Sequence, residues 1–134
     1  MNVYISHSEK DSPLARAVAR VLEDAGMQVW DASRILPGEN WAEATANALR
    51  RADAMVVLLT PESVRSKYVQ SDVGFALGRA DFKDRVVSVV AGSFAALDKE
   101  IPWVLKKLPR IQLDPAMRNL APLEALPELF RQPA

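Results

Sequence analysis

Apolar positions in this 134-residue chain follow two alternating rhythms. Short runs rich in β-branched residues alternate with stretches whose apolar residues recur every three to four positions, the pattern of a parallel sheet with helices on both faces. Residues 2–6 (NVYIS) predict the first strand. After a polar loop, Ser12 and Pro13 read as the N-cap and first position of a helix in which Leu14, Val18, Val21, Leu22 and Ala25 share one side. Gly26 stands where a helix stop belongs. Residues 28–30, ending at Asp31, predict a short second strand, and the loop 32–40 that follows holds Pro37 and Gly38. Asn40 is placed to cap a helix over 41–52 whose inward face is Trp41, Ala44, Thr45, Ala48 and Leu49.

Residues 54–59 (AMVVLL) form a near-continuous apolar run, as expected of a central strand buried on both faces. Thr60 and Pro61 open a helical turn, and Ser66 caps a longer helix with Val69, Val73, Ala76, Leu77 and Ala80 along one side. Residues 85–91 (RVVSVVA) predict the fourth strand. Gly92, Pro102 and Pro109 make the stretch 93–109 irregular, with a brief helix over 103–107. Residues 110–113 predict a fifth, edge strand, and 120–131 a last helix with Pro122 near its start and a kink or break at Pro127. Together these elements predict an α/β, flavodoxin-like three-layer sandwich over one domain, 1–134, with a five-stranded parallel sheet in the order 2-1-3-4-5. That order makes strands one and three neighbours whose outgoing loops diverge, opening a crevice at their carboxyl ends. Its expected walls are the segments 7–11, 32–40 and 60–72.

Composition acts mainly by exclusion. Lys and Arg number 17 and Asp and Glu 17, a formal net charge of zero, which removes the electrostatic drive for binding nucleic acid or an anionic membrane. Neither is expected as a partner. The absence of cysteine excludes a disulfide framework, a thiolate metal site and a cysteine nucleophile. The single histidine, His7, excludes a multi-histidine metal centre. No apolar run approaches the roughly 18 residues of a membrane span, and no signal-peptide pattern opens the chain, so the expected location is cytoplasmic.

The residues after each strand decide what chemistry the crevice admits. A phospho-accepting receiver needs an acidic pair after strand one and an Asp after strand three, but His7, Ser8 and Thr60 occupy those places. The loop SHSEKDS has no glycine to cradle a flavin phosphate, and neither a P-loop nor a G-x-S-x-G elbow is present. A carboxylate reading survives. Asp72 falls in the second turn of its helix beside Val69, Val73 and Ala76, on the crevice side. There it can accept ribose hydroxyls or stabilise positive charge developing on an anomeric carbon. The alternative is a structural carboxylate that complements the helix dipole or pairs with Lys67 or Arg79.

The chain resembles a Toll/interleukin receptor (TIR) domain. The resemblance rests on five segments in order: VYISHSEKD from Val3, GMQVWD from Gly26, ILPGENW from Ile35, ADAMVVLLTP from Ala52 and SKYVQSDVGFALG from Ser66. It implies a flavodoxin-like fold and one of two functions: cleavage of the nicotinamide-ribose bond of NAD+, by hydrolysis or cyclisation, or scaffolding by TIR-TIR association with itself, another TIR or an effector protein. Enzymatic members are linked to bacterial immunity or virulence and depend on a glutamate in the third helix. That position is Asp72 here, a departure that shortens the side chain by one methylene. Misplacement of about 1 Å can cost roughly 100-fold where positioning drives catalysis. Asp31 and Glu62 are candidates to compensate. The resemblance further implies NAD+ as substrate, with no resident cofactor and no metal. Ser6, His7 and Asp11 would contact the ligand unless Asp11 or Ser12 only caps the first helix, and Asp31 would border the site. Arg34 would bind the pyrophosphate unless it is only a surface residue. Trp30 and Trp41 are packing residues, or an indole beside the crevice stacks on a base. The loop Ile35, Leu36, Pro37 and Gly38 would be the self-association element and a gate over the site.

Overall fold

The computed structural model describes residues 1–79, 85–92, 105–114 and 116–131. Its five strands are β1 (Asn2–Ser6), β2 (Gln28–Trp30), β3 (Ala54–Leu59), β4 (Val86–Ala91) and β5 (Arg110–Leu113). They form one parallel sheet in the order β2-β1-β3-β4-β5. The helices are α1 (Ser12–Asp24), α2 (Trp41–Arg51), α3 (Lys67–Leu77) and α4 (Leu126–Arg131). Ala80 and the stretch 93–104 lie outside the described residues. Among the described residues no helix is long and apolar enough to cross a membrane.

Strand alternation divides the core into two layers. Val3, Ile5, Val56, Leu58, Val87 and Val89 face Leu14, Val18 and Leu22 of α1 and Leu126 and Phe130 of α4. The intervening Tyr4, Met55, Val57, Leu59 and Val90 face Leu49 of α2 and Val69, Val73 and Ala76 of α3. Strands β3 and β4 are buried at every position, because both of their faces are covered. Main-chain and side-chain bonds fasten the sheet's centre: Asp53 N–H donates to Asn2 O at 2.7 Å, and Asn2 N–H donates to Asp53 Oδ2 at 2.8 Å.

Helix ends follow the residues expected to make them. Gly26, at φ +88°, ends α1: its N–H bonds Glu23 O and the next N–H, of Met27, bonds Leu22 O, a Schellman stop that requires the left-handed conformation. Asn40 Oδ1 accepts from Glu43 N–H at the start of α2, and Ser66 caps α3 by accepting from Val69 N–H. The last helical segment is split as Pro127 dictates, with a 3-10 stretch (Ala121–Ala125) leading into α4.

Two local expectations are corrected. Trp41 does not join the inward face of α2. It is 43% exposed and packs edge-on against Tyr68, whereas Thr45 and Leu49 one and two turns later are buried. Ser12 is not the cap of α1. The boundary residue is Asp11, whose carboxylate makes no cap bond because it is drawn to other partners.

Candidate functional site

Strands β1 and β3 are neighbours with crossovers on opposite faces, and a cavity of about 460 Å³ opens where their loops diverge. Its volume lies within the roughly 300–1,000 Å³ range of small-molecule sites. His7, Ser8 and Glu9 come from the loop after β1, Ala32 and Ser33 from the loop after β2, and Trp41, Ser66, Tyr68 and Asp72 from the starts of α2 and α3. Each of the three segments expected to wall the crevice contributes part of its length, whereas Asp11 and residues 35–40 and 60–65 are not in the lining.

Asp72 forms part of that wall and is 9% exposed. Both of its hydrogen bonds fall on Oδ2: Ser6 Oγ donates at 2.8 Å and the Tyr4 phenol at 3.1 Å. Ser6 and Tyr4 project to the same side of β1 because they are two residues apart on a strand. Among the described residues no side chain donates to Oδ1. Burial raises the Asp72 pKa, and the Ser6 and Tyr4 hydrogen bonds and the nearby His7 oppose the rise. The Tyr4 phenol is held well above its usual range, by burial first and then by the Asp72 charge, so it stays a donor.

His7 lines the cavity, and its two ring nitrogens have separate neighbours. Nδ1 is 2.7 Å from Ser8 O and must carry a proton to bond it. Nε2 is buried 3.7 Å from Asp31 Oδ1, beyond hydrogen-bond range but within ion-pair range. Burial disfavours the imidazolium, yet Asp31 and the Ser8 carbonyl outweigh it and the His7 pKa is raised. Burial likewise works against the Asp31 carboxylate, but His7 and the Ser33 N–H and hydroxyl bring its pKa down to about 2.

The remaining expected site residues are placed differently. Asp11 is buried away from the cavity, its Oδ2 accepting from Ser8 Oγ at 2.8 Å and from Thr60 Oγ1 at 2.7 Å. It ties the first loop to the end of β3 and is not brought to the ligand space. Asp31 stands behind His7 rather than in the wall, and Glu62 is exposed outside it, so neither is positioned to replace Asp72. The Arg34 side chain lies outside the described residues. Trp41 borders the cavity mouth and packs edge-on against Tyr68, ring centroids 4.9 Å apart. Leu36 to Glu39 form a β-turn closed by Glu39 N–H to Leu36 O, with Pro37 and Gly38 (φ +89°) at its centre. Leu36 is left 67% exposed.

Tyr4 and Tyr68 were not anticipated as site residues. A phenol between Val3 and Ile5 in a buried strand is the only signal for Tyr4, since a buried tyrosine hydroxyl needs a partner. Among the described residues no three acidic or histidine side chains converge to hold a metal ion.

The profile of the TIR domain matches residues 3–126. The chain belongs to the TIR-domain family. Solved structures agree on the fold. The TIR-STING receptor of the metazoan C. gigas, in complex with 2',3'-cGAMP, superposes with TM-score 0.77 and 21% identity over 98% of this chain. The TIR domain described here spans 39% of that receptor's length. The Clostridium botulinum CMP N-glycosidase BcmB aligns with TM-score 0.56 and 12% identity, covering 98% of this chain and 100% of the enzyme. A flavodoxin-like domain from Synechococcus gives TM-score 0.53 and 15% identity, covering 96% of this chain and 92% of the domain. At such identities the likeness is one of fold. A comparison with curated protein sequences finds no significant match.

Proposed function

We propose that this TIR domain binds NAD+ in the β1/β3 crevice and cleaves its nicotinamide-ribose bond. One observation carries the reading: a buried carboxylate in the cavity wall has one oxygen, Oδ2, fixed by two hydroxyls, and Oδ1 is the oxygen we assign to the ligand. A carboxylate so held suits a reaction in which positive charge develops on an anomeric carbon. As the C1'–N bond breaks, its electron pair leaves with nicotinamide, which departs neutral. Asp72 Oδ1 stabilises the oxocarbenium-like ribose, and attack of water on C1' gives ADP-ribose and one proton. Attack by a hydroxyl of the same molecule gives the cyclic product.

Other groups assist binding. Trp41 and Tyr68 offer exposed aromatic faces at the mouth, where a flat ring of the dinucleotide can stack. His7 lines the same cavity and is proposed to border the bound dinucleotide, and Arg34 is proposed as a pyrophosphate donor. A fold shared with a nucleotide N-glycosidase is consistent with this chemistry, as an analogy of scaffold. The setting we propose is cytoplasmic bacterial immune or virulence signalling. Release of nicotinamide from millimolar NAD+, followed by chromatography, tests the activity.

The exposed Leu36 on a Pro37–Gly38 turn favours a second reading, TIR-TIR association through this loop. Leu36→Asp then lowers the weight-average mass in sedimentation at high protein concentration. An unchanged mass distribution from an associating wild type would remove the loop from the interface.

A further inference from the structure

Tyr4 is in an unusual position for a core residue, because it borders two cavities. One is the crevice that holds Asp72, and the other, about 240 Å³, lies between β2 and α2 and is lined by Val3, Tyr4, Val29, Trp30 and Ala48 among others. The ring is 3% exposed and shares its core layer with Leu49, Met55 and Val73, and among the residues that line the second cavity with it Trp30 adds a ring contact. Its indole stacks on the Tyr4 ring with centroids 5.1 Å apart and planes inclined by 24°, an offset arrangement that aromatic pairs favour. The same Tyr4 ring carries the hydroxyl that donates to Asp72 Oδ2.

Resting on the reading proposed above, we infer that Trp30 is a positioning residue for Asp72: its stack holds the Tyr4 ring so that the phenol fixes Oδ2 and presents Oδ1 to the ligand. Trp30 lines the second cavity and not the crevice, so it acts through Tyr4 and touches no ligand. The edge of the sheet is thereby coupled to the reactive carboxylate through two rings and one hydrogen bond. The Ser6 hydroxyl holds the same oxygen from the other side, but it does not constrain Tyr4.

The coupling is tested on the whole chain with Trp30→Leu, Trp30→Phe and Tyr4→Phe. Two readouts are taken: kcat and KM for nicotinamide release, and the NMR titration of the Asp72 carboxyl. Loss of the stack in Trp30→Leu lowers kcat by on the order of tenfold with little change in KM, and Trp30→Phe, which keeps a ring, restores most of it. Tyr4→Phe keeps the stack but removes the donor, so it raises the Asp72 titration midpoint. Trp30→Leu raises the midpoint in the same direction, and Trp30→Met makes the same test should the leucine variant not fold. A Trp30→Leu protein whose Asp72 titrates as in wild type, while Tyr4→Phe is shifted, overturns the inference. A wild type that releases no nicotinamide refutes the proposed activity instead, and the titration alone still decides whether Trp30 positions Asp72.

Discussion

The Ser6 hydroxyl donates to Asp72 Oδ2 at 2.8 Å, joining the last residue of β1 to the second turn of α3 across 66 positions of sequence. On the proposed reading, this contact is what would let an aspartate serve where the resemblance to the family implies a glutamate. The shorter arm does not leave the carboxylate adrift, because Ser6 and Tyr4 hold one oxygen and so fix the direction of the other.

Ser6→Ala removes one of the two donors. The ionised carboxylate loses stabilisation, so the Asp72 pKa rises further and the acidic limb of the pH-rate profile moves up. Turnover falls by about 10- to 100-fold through loss of positioning. Steady-state kinetics across pH, with the carboxyl titration alongside, checks both effects.

Asp72→Glu restores the family's residue but adds a methylene to a carboxylate already within 2.8 and 3.1 Å of its donors. Overpacking displaces the hydroxyl contacts, and nicotinamide release is expected to fall. A variant faster than wild type would show instead that the native site is a decayed one.

Much of this architecture was legible in the sequence. The five strands stood out because β-branched runs end at polar or Gly and Pro residues, and the break before α4 followed from Pro127. Asp72 was placed in the crevice by helical spacing alone. What remained hidden depends on contacts between distant segments. Asp11 reads as a cap until Thr60, 49 positions away, captures its carboxylate. Trp41 satisfies the helical period of α2, yet that period does not reveal that its ring packs on Tyr68, from a distant helix. Tyr4 reads as core, and its hydroxyl partner lies 68 positions away.

The His7–Asp31 pair gives a pH dependence of stability with opposite signs at its two ends. His7 has a raised pKa, so its contribution is fully present below pH 6.5 and is lost as pH rises through the folded value. Asp31 has a pKa lowered to about 2, so its contribution is present above 3.8 and is lost as pH falls toward 2. Asp31→Asn therefore destabilises most between about pH 4 and 6.5, by about 1.5–3 kcal/mol for a charged hydrogen-bonded group. The difference from wild type narrows on either side. Urea unfolding at a series of pH values measures it.

Asp72 adds a term of the reverse sense. Its raised pKa means that the folded state holds a proton more tightly, so its contribution favours the fold at low pH and is lost as pH rises from 3.8 through the folded value. The proposed mechanism requires the ionised form, so it predicts that activity rises over the same interval.

Comparison of wild type with Asp72→Asn in nicotinamide release from millimolar NAD+ tests the central claim most directly. Asparagine matches the shape of Asp72 and its amide oxygen can still accept from Ser6 and Tyr4, so the substitution removes charge with little else. The account predicts release by the wild type and a loss of about 100-fold or more in the variant. Equal release by the two proteins, or none from the wild type, would contradict it.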